Sequence, residues 1–272
     1  MDKRKGKPFL EVLSSALHED YRFPILEVFA FLYVLGTFVL VNVGVYGSFL
    51  GSTSGEAMAF SLISSALGVS LLVFFILMLK NIAFGIGSDL EKGIIQTYFS
   101  YPLKRSKILT AKLLSAIGVS ILLFIGIQLL ALSILAPGIV LPYMGTVLLT
   151  YAASLSYPLI IAGVMLLMAL VFRRGSLTLV MGIVLYFVLS IVSGIVAVIA
   201  FATNSSLPLQ ILSIFSPSTI LSQYYSTTLS SFSTMTWAPT FSQVLLSVGA
   251  SYAIVAGLFA IGYYYFSRRL NL

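Results

Sequence analysis

The chain is 272 residues long, 59% apolar and 8% charged, with a formal net charge of +7 and a mean hydropathy of +1.08. Soluble domains run at roughly 45–50% apolar and about 25% charged, so this composition excludes a soluble globular protein and points to an integral membrane protein. With no cysteine and a single histidine, a disulfide framework, a thiolate metal site and a histidine metal cluster are excluded, and the sequence contains no GxxxxGK[ST] or GxGxxG phosphate loop.

The first element is amphipathic. Over residues 8–23, at 100° per residue, Phe9, Leu10, Val12, Leu13, Ala16 and Leu17 share one face, and Glu11, Ser14, Ser15, His18 and Glu19 share the other. Such a helix is expected to lie in the headgroup layer and lead into the membrane at Pro24. His18 falls on its polar face, as a solvated imidazole rather than a ligand. Crossing a hydrocarbon core of about 30 Å takes roughly 20 mainly apolar residues. Residues 24–45, 57–79, 113–136, 147–172, 177–201 and 243–266 meet that requirement, which predicts six transmembrane helices in a single domain over 1–272. Glu11, Glu19 and Asp20 precede the first span with no small-residue cleavage pattern behind it, so it reads as a retained span rather than a signal peptide.

Between the second and third spans, residues 88–101 predict a further amphipathic helix. Leu90, Ile94, Tyr98 and Tyr101 align, Ile95 and Phe99 widen that face, and Asp89, Lys92, Gln96 and Ser100 form the polar strip. Pro102 ends it, since proline lacks an N–H and restrains the residue before it. Asp89 and Glu91 suit a helix start. Its apolar face needs a cover, from headgroups or from a partner protein. Residues 202–242 are long, uncharged and rich in Ser and Thr, and Pro208 and Pro217 divide them into short helices expected to dip back toward the membrane. Tyr224, Tyr225 and Trp237 suit an interfacial belt. Asn204, Ser205 and Ser206 form an N-x-S glycosylation sequence. In the last span Gly249, Ala253 and Gly257 recur every four residues, a spacing that permits close helix approach within one subunit or between two.

Charge sets the orientation. The 15 Lys and Arg residues fall before the first span, between the second and third, and at the ends of the fourth and sixth, while 46–56, 137–146 and 202–242 hold none. Because cationic residues stay on the cytoplasmic side, both termini are expected inside. The same asymmetry explains the positive charge without a nucleic acid partner. The middle of the six spans carries no ionisable residue, which argues against an ion-coupled secondary transporter; Glu27, near the inner end of the first span, is the residue such a carrier would use. A membrane-embedded enzyme is disfavoured too, because the serines have no intramembrane His or Asp to activate them. Asn42 and Gln128 are polar and uncharged, suited to helix-packing hydrogen bonds and, more weakly, to a substrate path.

The stretch "EKGIIQTYFSYPLKRSKILTAKLL", beginning at Glu91, resembles the cytoplasmic signature of type-2 ABC transporter permeases. The matching positions are Glu91, Lys92, Gly93, Pro102, Arg105, Ile108, Leu109 and Lys112, with departures at Gln96 and Ala111. The resemblance implies that 88–101 is a coupling helix seated in a groove of a separate ATP-binding subunit. Leu90, Glu91, Lys92, Gly93, Ile94, Tyr98, Tyr101, Pro102 and Arg105 would then dock that subunit. It further implies two ATPase copies that carry ATP and Mg, two permease copies as a homodimer or a heterodimer, and no cofactor on this chain. The expected setting is a prokaryotic plasma membrane, and the expected activity is export of a hydrophobic or amphipathic substrate such as a lipid, drug-like compound or peptide.

Overall fold

A computed structural model of the chain describes residues 8–48, 55–99, 102–203, 205–229 and 237–268, the side chains of 40–48, 201 and 227–229 excepted. Tyr101, the Asn42 side chain and Asn204 lie outside what is described. Helix α1 covers Pro8–Asp20 and α2 covers Ile25–Ser48. The next, α3, runs unbroken over Gly55–Glu91. A short α4, Ile94–Phe99, precedes α5, Arg105–Leu135. One turn, α6 at Pro137–Val140, leads to α7, Met144–Phe172, and then α8, Gly175–Thr203. Two short helices, α9 at Leu207–Phe215 and α10 at Pro217–Leu229, come before α11, Phe241–Arg268. No strand occurs among the described residues.

Helices α3, α5, α7, α8 and α11 are each long and apolar enough to cross a bilayer, and α1 with the start of α2 meets the same criterion as a pair bent by 65°. The protein is therefore an all-α membrane protein. Pro208 and Pro217 sit in the first turns of α9 and α10, where a missing N–H costs nothing. Lys80, Lys92, Lys112, Arg173 and Arg268 gather at one end of the bundle, because α3, α7 and α11 finish there while α5 and α8 begin there. That end is called the basic end below.

Two helices form the centre. Of their most apolar windows, 67% of α7 and 56% of α3 are buried, against 6% of α8, whose surface is left for lipid or another chain. Phe124 of α5 joins them: its ring meets Tyr33 of α2 edge-on at 5.4 Å, Phe74 of α3 at 4.9 Å and Tyr151 of α7 edge-on at 6.0 Å. One turn further along α5, Gln128 is wholly buried. Its amide donates to Thr37 Oγ1 at 3.3 Å and Ala66 O at 3.4 Å, and its carbonyl accepts from the Tyr151 hydroxyl at 3.0 Å. Gln128 thus ties four helices together through helix-packing hydrogen bonds. Pro158 interrupts the α7 hydrogen-bond ladder, and the Tyr252 hydroxyl of α11 donates to the nearby Ala152 O at 3.0 Å.

The close approach of α7 and α11 does not use the stripe read from the sequence. A Cβ added at Gly249 or Gly257 would meet nothing within 4 Å, whereas one at Gly163 would lie 2.8 Å from Leu258 Cβ. Gly249, Ala253 and Gly257 face outward from the subunit, and Gly163 of α7, with Gly262 of α11, lets the two helices touch. Gly163→Ala is therefore expected to destabilise the protein by ~1–3 kcal/mol through overpacking, and Gly257→Ala to leave it unchanged. Thermal unfolding of the two detergent-solubilised variants checks the difference.

Candidate functional site

The segment expected as one helix over 88–101 is divided. Gly85 and Gly87 do not stop α3, which continues past its apolar stretch and ends only where Gly93 takes a left-handed φ of 70°. The chain then turns into α4. Asp89 is consequently not at a helix start but on the last turns of α3, 1% exposed. Leu90 is likewise turned into the core. The two halves of the expected apolar face point different ways because the Gly93 turn resets the helical phase.

Two stretches of wider, π-type helix flank the region, Ala83–Ser88 in α3 and Leu114–Val119 in α5. Such turns are rare and recur at functional sites. Around them lies a buried polar cluster. Lys112 Nζ sits 2.6 Å from Asp89 Oδ2 and 3.0 Å from Glu19 Oε2, with the Lys112 and Asp89 side chains 3% and 2% exposed. The Ser115 hydroxyl donates to Asp20 Oδ2, and Lys80 Nζ donates to Asp20 O at 2.7 Å and Asn81 Oδ1 at 3.0 Å. Asn81 Nδ2 donates to the Tyr21 hydroxyl at 3.2 Å, and that hydroxyl bonds to Ser115 O at 2.9 Å. These links cross from α1 or its exit to α3 or α5, except the Lys112–Asp89 pair, which joins α5 to α3, and the bond within Lys80–Asn81. Burial pushes the Asp20 carboxyl up to about 6, against the Ser115 hydroxyl and the Lys80 and Lys112 ammonium groups, which hold it down.

Glycines make room for this. A Cβ at Gly85 would come within 2.9 Å of Asp20 Oδ1, and one at Gly175 within 2.9 Å of Ala83 O. Both π-turn faces of α3 are thus in close contact, one with α1 and one with the start of α8. Glu91 Oε2 accepts the Gly175 N–H at 3.0 Å, placing a carboxylate on the positive end of α8. Its carboxylate is bound to this chain, a role that its spacing did not reveal.

Helix α4 is bolted down along one side. Ile95 is buried, Phe99 meets Phe266 of α11 edge-on at 6.1 Å, and Arg105 lies 4.7 Å above the Phe99 ring. Tyr98 shares a 3.3 Å hydrogen bond with Ser15 of α1, and its ring lies 5.4 Å from Lys112 Nζ. On the other side Lys92, Ile94 and Gln96 are exposed, as is Pro102 beyond the helix. Glu27 is exposed in the first turn of α2. Among the described residues no three His, Cys, Asp or Glu side chains are grouped to hold a metal ion. Neither family models nor curated proteins give a match to the chain.

Lys112→Ala strands Asp89 in the apolar bundle and is expected to cost ~3–5 kcal/mol, while the double variant Lys112→Met with Asp89→Leu recovers most of the loss; unfolding midpoints of the single and double variants test this. The raised Asp20 carboxyl implies that the folded protein holds a proton the unfolded chain has released between about pH 4 and pH 6, so stability from this group falls as pH rises through that window. Asp20→Asn is expected to make the melting temperature less dependent on pH there, read from melting curves across the same range.

Proposed function

We propose that the chain is the transmembrane permease subunit of an ABC-type transporter, exporting a hydrophobic or amphipathic substrate with energy from a separate ATP-binding subunit. The basic end is then cytoplasmic, both termini lie inside, and the membrane is crossed six times, with α1 lying on the inner surface and α9 and α10 as the short outer helices. The observation that carries the reading is the construction of α4. It is a rigid piece, set off by Gly93, whose inner side is fixed to α1, α5 and α11 and whose outer side offers Lys92, Ile94 and Gln96. A subunit pressing on that outer side would move α4 as a unit and load the Lys112–Asp89 pair directly behind it.

The docking set narrows. Leu90 is core, Glu91 accepts the Gly175 N–H and Tyr98 is bonded to Ser15, so the contact falls to the exposed Lys92, Ile94, Pro102 and Arg105 of the expected set, with Gln96 added. Support for a translocation path comes from a cavity of about 280 Å³ bordered by Ser64, Gly68 and Leu71 of α3, Ser154 of α7 and Ser218 and Ser222 of α10. Its mix of hydroxyls and apolar groups suits an amphipathic passenger. The outward stripe of Gly249, Ala253 and Gly257 supports assembly with a second permease copy.

The test is purification of the tagged full chain from its native membrane. An ATPase bearing a phosphate-loop motif is expected to accompany it, and Ile94→Glu is expected to cut recovery about ten-fold, as a charge in a docked apolar contact does. No accompanying ATPase with the unaltered chain would overturn the reading. Nucleotide-independent transport that Asp20→Asn abolishes would favour an ion-coupled carrier instead, since Asp20 is buried where Glu27 is exposed.

A further inference from the structure

At the end opposite the basic end, α3, α7 and α11 begin around a cavity of about 670 Å³ that α10 closes on one side. That is the size of a pocket for a single drug-sized molecule. Glu56, in the first turn of α3, lines it together with the rings of Tyr143, Tyr224, Tyr225 and Phe241. Leu149 and Leu245 supply apolar wall. The rings are held in place. Tyr225 stacks on Phe60 at 4.7 Å and donates its hydroxyl to Thr146 Oγ1 at 3.3 Å; Tyr224 meets Tyr225 edge-on at 5.1 Å and lies 6.0 Å from Phe241. Tyr143 rests on the α3 backbone beside Glu56, so closely that a Cβ at Gly55 would overlap its hydroxyl.

The charge pattern makes this carboxylate unusual. Among the described residues the other acidic side chains, Glu11, Glu19, Asp20, Glu27, Asp89 and Glu91, belong to segments at or near the basic end, and so do the described lysines and arginines. Glu56 is the one acidic residue between Glu27 and Asp89 in the sequence. No cationic side chain among the described residues shares its end, so the described bundle supplies no counter-charge. A carboxylate beside an apolar cavity gains most from a cation that also fills the cavity. A small hydrated metal ion would have one ligand and lose its water to aromatic walls. An organic cation with an apolar body keeps the carboxylate paired, sets its positive centre against aromatic faces, and buries the rest of its surface.

We propose that this cavity binds a lipophilic organic cation, with its charged nitrogen between Glu56 and the tyrosine rings and its body against Leu149, Leu245 and Phe241. As a binding site it stands independently of the permease reading; as the site of the exported molecule it rests on that reading. The stacked Phe60 and Tyr225 rings border both this cavity and the smaller hydroxyl-lined one, since Phe60 lines the second and Tyr225 the first. The two cavities therefore adjoin along α3.

The full chain in lipid nanodiscs, without nucleotide or partner, is titrated with rhodamine 6G, a lipophilic monocation, and with rhodamine B, a zwitterion on the same ring system, with empty nanodiscs as background. Saturable binding of the cation is expected, weaker by about ten-fold or more in Glu56→Gln and recovered in Glu56→Asp, because the carboxylate and not the shape of the side chain is what counts. The zwitterion is expected to bind less well and to be indifferent to Glu56→Gln. Tyr225→Leu is expected to weaken the cation without altering the unfolding temperature by more than a few degrees. Equal affinity of Glu56→Gln and the unaltered protein, equal binding of both dyes, or no saturable binding above empty nanodiscs would overturn the proposal. Each of these outcomes leaves the ATPase co-purification test untouched, and a failure of that test leaves this one intact.

Discussion

A lysine and an aspartate that have left water must find each other, and the position of the Lys112–Asp89 pair governs the basic end of this protein. Both side chains are almost fully covered, at a separation of 2.6 Å. Neither charge can be accommodated alone among apolar helices without a penalty of several kcal/mol per ion. The register of α3 against α5 is thereby restricted to the one that joins them. Glu19 on the same ammonium group extends the restriction to α1. Helix α4, which follows Asp89 after a single turn of chain and precedes Lys112 by little more than two turns of helix, is held between two points that cannot separate.

The π-type turns serve the same arrangement. A regular α-helix through 83–88 would rotate Asp89 relative to the upstream core face that carries Phe74, Phe75 and Met78. A wider turn lets both the apolar face and the carboxylate point inward. The cost of loosened backbone bonding is met by the surroundings, with Asp20 against Gly85 on one side and the start of α8 against Gly87 on the other. Gly87 and Gly175 are a matched pair in this respect, since a Cβ on Gly87 would lie 3.0 Å from Gly175 Cα. A structure in which two polar anchors and two close backbone contacts converge on one helical turn has little freedom to move there except as a whole.

How much of this was legible depended on whether the signal was local. Apolar run length matched the ends of the long helices to within a few residues, except at the end of α3 and the start of α5, which reach well past the apolar runs, and Pro208 and Pro217 located the starts of α9 and α10. The amphipathic pattern of α1 was equally readable, since Val12 and Ala16 are buried where the periodicity placed them. Residues 80–91 misled because polarity rises at Lys80 and Gly85 and Gly87 lower the helix propensity, so the hydropathy edge of a span was taken for the end of its helix. Leu90 and Ile94 share a face only if the helix between them is continuous, and Gly93 removes that condition. Glu91 was read as a surface charge, and its acceptance of the Gly175 N–H joins residues 84 positions apart. No window of sequence carries such information. The cavity around Glu56 was hidden for the same reason: its walls come from α3, α7, α10, α11 and the turn before α7, and the rings and leucines they contribute look, taken singly, like interfacial residues.

The two regions are connected by one element. Helix α3 is 37 residues long, roughly 55 Å at 1.5 Å per residue, with Glu56 in its first turn at the mouth of the cavity and Asp89 in its last turn at the ion pair. That exceeds the thickness of a hydrocarbon core by nearly a factor of two. Over most of its length it is clamped by α2 and α7, with Phe74 fixed on Phe124 and Ala66 O bonded to Gln128. Helix α3 is therefore held firmly between the two regions. The π turn at 83–88 is the exception, being the one stretch of α3 where the α-helical bonding pattern is relaxed. Asp20 and Gly175 brace that turn, so on the proposed permease reading the polar cluster at the basic end governs how rigidly a displacement at α4 would pass along α3 toward the far cavity.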